Sequence, residues 1–247
     1  MYRIVIPARY GSSRLPAKAL ADIGGRPLVY WVWSRAIMSA ADSVTVATDD
    51  QRIVDVFAGT NADVVMTRDD HESGTDRIAE VATFNHWADD DIVVNLQGDE
   101  PLMPIANLDQ VAGMLKTHLS ADIATLCEPI TSRDEFHNPS VVKVIGDQSG
   151  RALYFSRAPI PHARDGSDNE FPETARRHIG LYAYRVSFLK AFANLPASVT
   201  EQLESLEQLR ALDNGREIRI ADCTEPVPAG VDTLDDLEVV RQLMANV

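Results

Sequence analysis

Four short apolar runs punctuate the first hundred residues, at 3–6, 44–47, 64–66 and 92–96. Each is apolar throughout rather than on alternate positions, so a strand built from it needs cover on both faces. Helical stretches separate them. Pro27 suits the first turn of a helix running to about residue 40, and another follows Thr48-Asp49-Asp50 to about residue 58. Ser73 can cap a third that reaches about residue 84. Alternation of this kind predicts an α/β fold on a parallel sheet covered by helices. Ligands of such sheets bind beyond the carboxyl ends of the strands. The loops that matter are therefore 7–18, 48–50, 67–77 and 97–101.

The second half is less regular. Runs at 141–145, 152–155 and 179–184 read as strands, partly antiparallel, and 217–221 as another. A helix is expected over 200–213, with Leu203, Leu206 and Leu209 on one side and Asn214-Gly215 ending it. A last helix begins near Thr233, with Asp236 three residues on as in a capping box, and Leu234, Leu237, Val240 and Met244 as its apolar stripe. The polar stretch 161–175 reads as a mobile loop. With 247 residues, 45% of them hydrophobic, the chain can bury one large core. The expectation is a single α/β domain over 1–247, a mixed and mainly parallel sheet with a smaller antiparallel lobe at about 130–215.

The formal net charge is −14, which disfavours nucleic acid and anionic membranes as partners. No apolar run approaches a bilayer span and the start has no signal-like flank, so a soluble, cytoplasmic protein is expected. Cys127 and Cys223 sit in no paired motif and read as small buried hydrophobes in a reducing compartment. Against the acidic whole, residues 1–35 carry six basic groups (Arg3, Arg9, Arg14, Lys18, Arg26, Arg35) and one acid, Asp22. That local excess suggests an anion site.

The loop after the first strand reads Arg9-Tyr10-Gly11-Ser12-Ser13-Arg14-Leu15-Pro16-Ala17-Lys18. Gly and Ser let a backbone turn tightly and aim N–H groups at an oxyanion, Arg offers a planar fork, and Lys a point charge. The spacing fits neither a P-loop nor a dinucleotide fingerprint. Asp99, at the end of the fourth run in Gln97-Gly98-Asp99-Glu100-Pro101, is placed to hold a divalent cation over phosphates, or simply to cap a loop. Ser73-Gly74-Thr75-Asp76-Arg77 can offer directional donors, or be a plain helix start. Glu207 lies four residues after Leu203 and so shares the inward helix face, where a carboxylate wants hydroxyl partners. His178 alone reads as a core histidine, and the histidines show no metal spacing.

Together these segments resemble the sugar-acid cytidylyltransferases, from Pro7-Ala8-Arg9 through Gly230-Val231-Asp232-Thr233-Leu234, where the family pattern has Pro in place of Leu234. The resemblance implies a Rossmann-like nucleotide-diphospho-sugar transferase fold, a homodimer formed through the lobe, and Mg²⁺ as cofactor. It implies CTP as one substrate, held by Arg9, Gly11, Ser12, Arg14, Lys18, Ser73, Gly74, Arg77, Gln97 and Asp99. Asp99 and Asp232 become the metal ligands and, with Lys18 and Arg14, the catalytic set. Tyr154-Phe155-Ser156-Arg157, Arg177-His178-Ile179-Gly180-Leu181-Tyr182 and Leu206-Glu207-Gln208 resemble the segments that bind the acceptor. They give Gln97, Arg157, His178, Tyr182, Tyr184, Glu207 and Gln208 to the eight-carbon sugar acid Kdo. The activity so implied is transfer of CMP from CTP to Kdo with release of pyrophosphate. Another acid acceptor, or a silent nucleotide-binding module on the same fold, stays open.

Overall fold

A computed structural model describes residues 1–12, 15–71, 73–164 and 171–245. The first half alternates as expected: β1 (Arg3–Ala8), a hairpin of β2 (Asp22–Ile23) and β3 (Arg26–Pro27), α1 (Leu28–Ala36), β4 (Ser43–Thr48), α2 (Gln51–Val56), β5 (Asp63–Met66), α3 (Gly74–Phe84) and β6 (Ile92–Asn95). The second half comprises α4 (Ile105–Thr117), β7 (Ile123–Pro129), α5 (Arg133–His137), β8 (Lys143–Gly146), β9 (Ala152–Ser156), β10 (Arg176–Arg185), α6 (Val186–Phe192), α7 (Val199–Glu204), α8 (Gln208–Asp213), β11 (Ile218–Asp222) and α9 (Leu234–Met244). The elements α4, β7, α5 and α6 occupy stretches to which the sequence reading assigns nothing.

The main sheet runs β11-β7-β10-β6-β1-β4-β5, with β8 and β9 attached to β10. Strands β5, β4, β1 and β6 pair in parallel, and β11 pairs in parallel with β7. Strand β10 runs against its neighbours β6 and β7. This is the mixed, mainly parallel sheet expected, with β8 and β9 as its smaller antiparallel part.

Alternate residues of each strand feed the two faces. Ile4, Ile6, Val46, Val94 and Leu126 pack under α1 and α4, through Val29, Val32, Leu108 and Leu115. On the other face Val5, Ala47, Val93, Ile123 and Tyr184 meet α3, α6 and α8, through Ile78, Val81, Phe188 and Leu209. A third, smaller cluster joins Leu15, Ile23 and Leu28 to Val231, Leu237 and Val240, fastening α9 to the β2–β3 hairpin. Arg241 adds two hydrogen bonds, from Nε (2.9 Å) and an NH2 nitrogen (2.8 Å), to the Asp22 carbonyl.

Two caps are as predicted. Ser73 Oγ accepts from the Asp76 amide, and Thr233 with Asp236 forms a full capping box. Helix α1 stops at Ala36, four residues short of the expectation, because Ser39 turns its hydroxyl onto the Ala36 carbonyl (2.7 Å). The predicted helix 200–213 is two helices. Ser205 adopts φ 51°, ψ 51°, the left-handed region, and breaks it. Leu203 is consequently 80% exposed, whereas Leu206 and Leu209 are buried. Both thiols are free, as expected. Cys127, on β7, is buried as expected, whereas Cys223, the residue after β11, is only half-buried; their thiols donate to Asp222 and Glu128 respectively. Of the loop at 161–175, Phe171 and Ala175 pack with Ile130 and Phe136, and 165–170 lie outside the described residues.

Candidate active site

Strands β1, β5 and β6 deliver their carboxyl ends to one cleft of 270 Å³, lined by Arg9, Ser12 and Lys18 after β1, His71, Ser73, Gly74 and Arg77 after β5, and Gln97, Gly98 and Asp99 after β6. Asp232, at the foot of α9, completes it. The approach of β6 to β1 explains Gly98. A Cβ there would stand 2.8 Å from the Pro7 carbonyl oxygen, a distance no side chain tolerates. Gly230 similarly lies where a Cβ would be 3.2 Å from the Asp99 carbonyl, and the Val231 amide bonds that carbonyl at 2.9 Å. The backbone therefore stitches the Asp232 segment directly onto the Asp99 turn.

At the centre, Lys18 Nζ donates to Asp99 Oδ2 (2.5 Å) and Asp232 Oδ1 (3.0 Å). Burial lowers the ammonium pKa, but the two carboxylates outweigh it and the group is held above its ordinary value. Glu100, beside them, is enclosed, and its Oε2 has no hydrogen-bond partner. Desolvation, with the negative charges of Asp99 and Asp232, pushes its carboxyl up to about 8. Two acids distant in sequence thus share a cation, with a third carboxyl behind them.

Of the six basic groups near the start, the structure brings Arg9 and Lys18 to the cleft. Arg3 pairs with Asp91 (2.7 Å), Arg26 lies over the Tyr30 ring, and Arg35 donates to the Met103 carbonyl. Arg14 lies outside the described residues. Gly11 is exposed in the loop after β1. Arg77 lines the cleft yet is almost fully buried, bonded to Asp49 (2.7 Å), Thr67 and the Arg68 carbonyl. Its guanidinium locks the ends of β4 and β5 to α3. Asp49 and Thr67 escape the sequence reading, since nothing local marks a pair that meets across two strands.

A second, larger cleft of 910 Å³ meets the first at His71 and Ser73, and includes Glu207 and Arg210. Glu207 Oε2 accepts from Thr75 Oγ1 at 2.5 Å, a bond spanning 132 residues. Burial raises the Glu207 pKa, and the hydroxyls of Thr75 and Ser73 offset only part of that. Glu207, Gln208, Tyr182, Tyr184 and Thr75 line one small cavity that shares Glu207 with the larger cleft. Glu207 does point inward, but not by the helix-face argument, because the helix is broken two residues earlier. His178 packs edge-on to Phe155 (5.0 Å) and beside Tyr182 (5.2 Å), and its Nε2 meets Thr125 Oγ1 at 2.9 Å. Desolvation drops its pKa to about 3, so the ring is neutral. Tyr182, Tyr184, Phe188 and Phe192 continue the aromatic row. Arg157 stands apart from these walls, donating to the carbonyls of Glu204 (2.6 Å), Pro139 (3.0 Å) and Ser205 (3.4 Å).

The family model described as cytidylyltransferase matches residues 3–218. A protein of Pseudomonas fluorescens named 3-deoxy-manno-octulosonate cytidylyltransferase is 53% identical, with 98% of each chain covered. A protein of the same name from Francisella tularensis subsp. novicida is 53% identical over 97% of each. A solved CMP:2-keto-3-deoxy-manno-octonic acid synthetase complexed with CTP superposes with a TM-score of 0.91 at 43% identity, covering 100% of this chain and 99% of that one. A cytidylyltransferase from Leptospira borgpetersenii, 17% identical with a TM-score of 0.66 over 100% of this chain and 88% of its own, shares the fold.

Proposed function

The chain belongs to the cytidylyltransferase family, and on that premise we propose that it joins the CMP part of CTP to Kdo and releases pyrophosphate. The observation that carries the reading is the meeting of Asp99 and Asp232 on one ammonium at the mouth of the parallel strands. The anomeric 2-hydroxyl of Kdo attacks the α-phosphorus of CTP in line. The bond to the bridging oxygen breaks, and its electron pair leaves on pyrophosphate. Arg9 and Lys18 neutralise that leaving charge, aided by Arg14. Ser12, the amides at Ser73 and Gly74, and Gln97 orient the nucleotide, with Arg77 bracing their loops. Glu207 and Gln208, with Tyr182 and Tyr184, accept and donate to the sugar hydroxyls. The neutral His178 packs behind them. Arg157 would reach the sugar carboxylate through the N–H groups its carbonyl partners leave.

Magnesium fits this donor set. The two carboxylates already hold a positive charge between them, as ligands of a hard cation would. Bound by Asp99 and Asp232, magnesium would supply Lewis-acid polarisation of the phosphate and acidify the attacking hydroxyl.

The product is an activated sugar for lipopolysaccharide assembly, made in the cytoplasm. No helix among the described residues is long and apolar enough to cross a membrane. We place a homodimer contact in the lobe, where Leu153, Tyr154, Val199 and Leu203 are exposed. The deciding experiment is pyrophosphate release from CTP with Kdo, an 8-amino Kdo analogue or a sialic acid. Fast release with Kdo that stops on chelation of magnesium is expected. CTP binding without turnover on any of the three sinks the reading.

A further inference from the structure

Lys143 is fully buried, at 0% exposure, and its three hydrogen bonds all go to backbone carbonyls: Asn138 (2.9 Å), Val141 (2.6 Å) and Arg157 (2.7 Å). Burying an ammonium is costly, and such a group persists where it holds chain segments that would otherwise part. Here it joins the loop before β8 to the residue following β9. Arg157 then reaches onward to the carbonyls of Glu204 and Ser205. Glu204 returns the contact, its carboxylate accepting from Ser156 Oγ (2.5 Å) and the Arg157 amide (2.8 Å). Ser205 lies in the left-handed region, a conformation that costs a non-glycine residue free energy unless its surroundings impose it. Two and three residues later come Glu207 and Gln208, lining the small cavity.

We propose that Lys143 is a positioning residue for the acceptor side: with Arg157 and Glu204 it braces the break at Ser205, and the break aims Glu207 and Gln208 into the cavity. Without the break, α7 would continue into α8, and Glu207 would fall on the helix face that carries the exposed Leu203. The knot therefore sets the direction of a side chain it never touches. The inference rests on the proposed role of Glu207 toward the sugar.

Steady-state kinetics on the full chain test it. Lys143→Met is expected to raise KM for Kdo about tenfold with KM for CTP within about twofold of the parent. The double variant Lys143→Met/Glu207→Gln should be no worse than Glu207→Gln alone. Ser205 is exposed, so Ser205→Val alters backbone preference without disturbing the core. It should raise KM for Kdo in the same selective way, while Ser205→Gly should not. Multiplying effects in the double variant, or equal losses toward CTP and Kdo, overturn the proposal. Should Lys143→Met fail to fold, the Ser205 pair decides alone, and equal behaviour of Val and Gly overturns it. A raised KM in Glu207→Gln with no change in Lys143→Met and Ser205→Val removes the brace and keeps Glu207. No change in Glu207→Gln itself removes both.

Discussion

The two walls of the site are built on opposite principles. The wall proposed for the nucleotide is made of charge: Arg9, Lys18 and Asp99 on loops at the ends of parallel strands, and Asp232 at the foot of α9. The wall proposed for the acceptor is made of neutral rings and protonatable groups drawn into the core, with Tyr182, Tyr184 and His178 on β10, which runs against β6 and β7. Charge can sit in a loop because partners and water stabilise it, so a few adjacent residues suffice. Neutral recognition groups need a dry scaffold, which only long-range packing supplies.

That contrast can be broken by experiment. The largest effect belongs to the charged wall: Asp99→Asn should lower turnover about 10³-fold, measured by pyrophosphate release at saturating magnesium. Unchanged turnover would mean that the shared cation is incidental. Gly98→Ala comes next, because its methyl meets the Pro7 carbonyl at 2.8 Å. A loss of about 2–3 kcal/mol in denaturant unfolding is expected.

The acceptor wall answers to pH instead. The folded His178 resists protonation down to about 3, whereas the unfolded ring accepts a proton below about 6.5. The stability owed to its neutral form is therefore complete above pH 6.5 and lost as pH falls toward 3. His178→Gln should flatten the melting-temperature profile over that window, and an unaltered slope would refute the assignment. The smallest effect is expected at Leu203. Leu203→Ser should change unfolding by no more than about 0.5 kcal/mol, against about 2–4 kcal/mol for Leu209→Ala. Sedimentation should then show whether Leu203→Ser weakens association instead.

The same contrast explains what could be read before folding. Strands 3–6, 44–47, 64–66 and 92–96, the Ser73 cap and the Thr233–Asp236 box are local patterns, and they stand where expected. Asp99 and Asp232 were nameable because motif residues flank each. The break at Ser205 was not, since serine has no intrinsic preference for that conformation and the brace imposing it begins 62 residues earlier, at Lys143. Strand β7 also escaped notice: its Thr125 and Glu128 dilute the apolar signal, and their partners lie on β10 or beyond β11. The Thr75–Glu207 bond and the Arg77–Asp49 pair are properties of topology, invisible in any window.

The small cluster that fastens α9 to the early hairpin has a consequence for biosynthesis. Lys18 leaves the ribosome long before its second carboxylate, which follows 214 positions later. A nascent polypeptide can form the entire sheet and still lack Asp232. A polypeptide ending just short of that aspartate would also lack Leu237 and Val240, leaving Leu15, Ile23 and Leu28 without their cover, so the early hairpin is sealed only when the last helix docks.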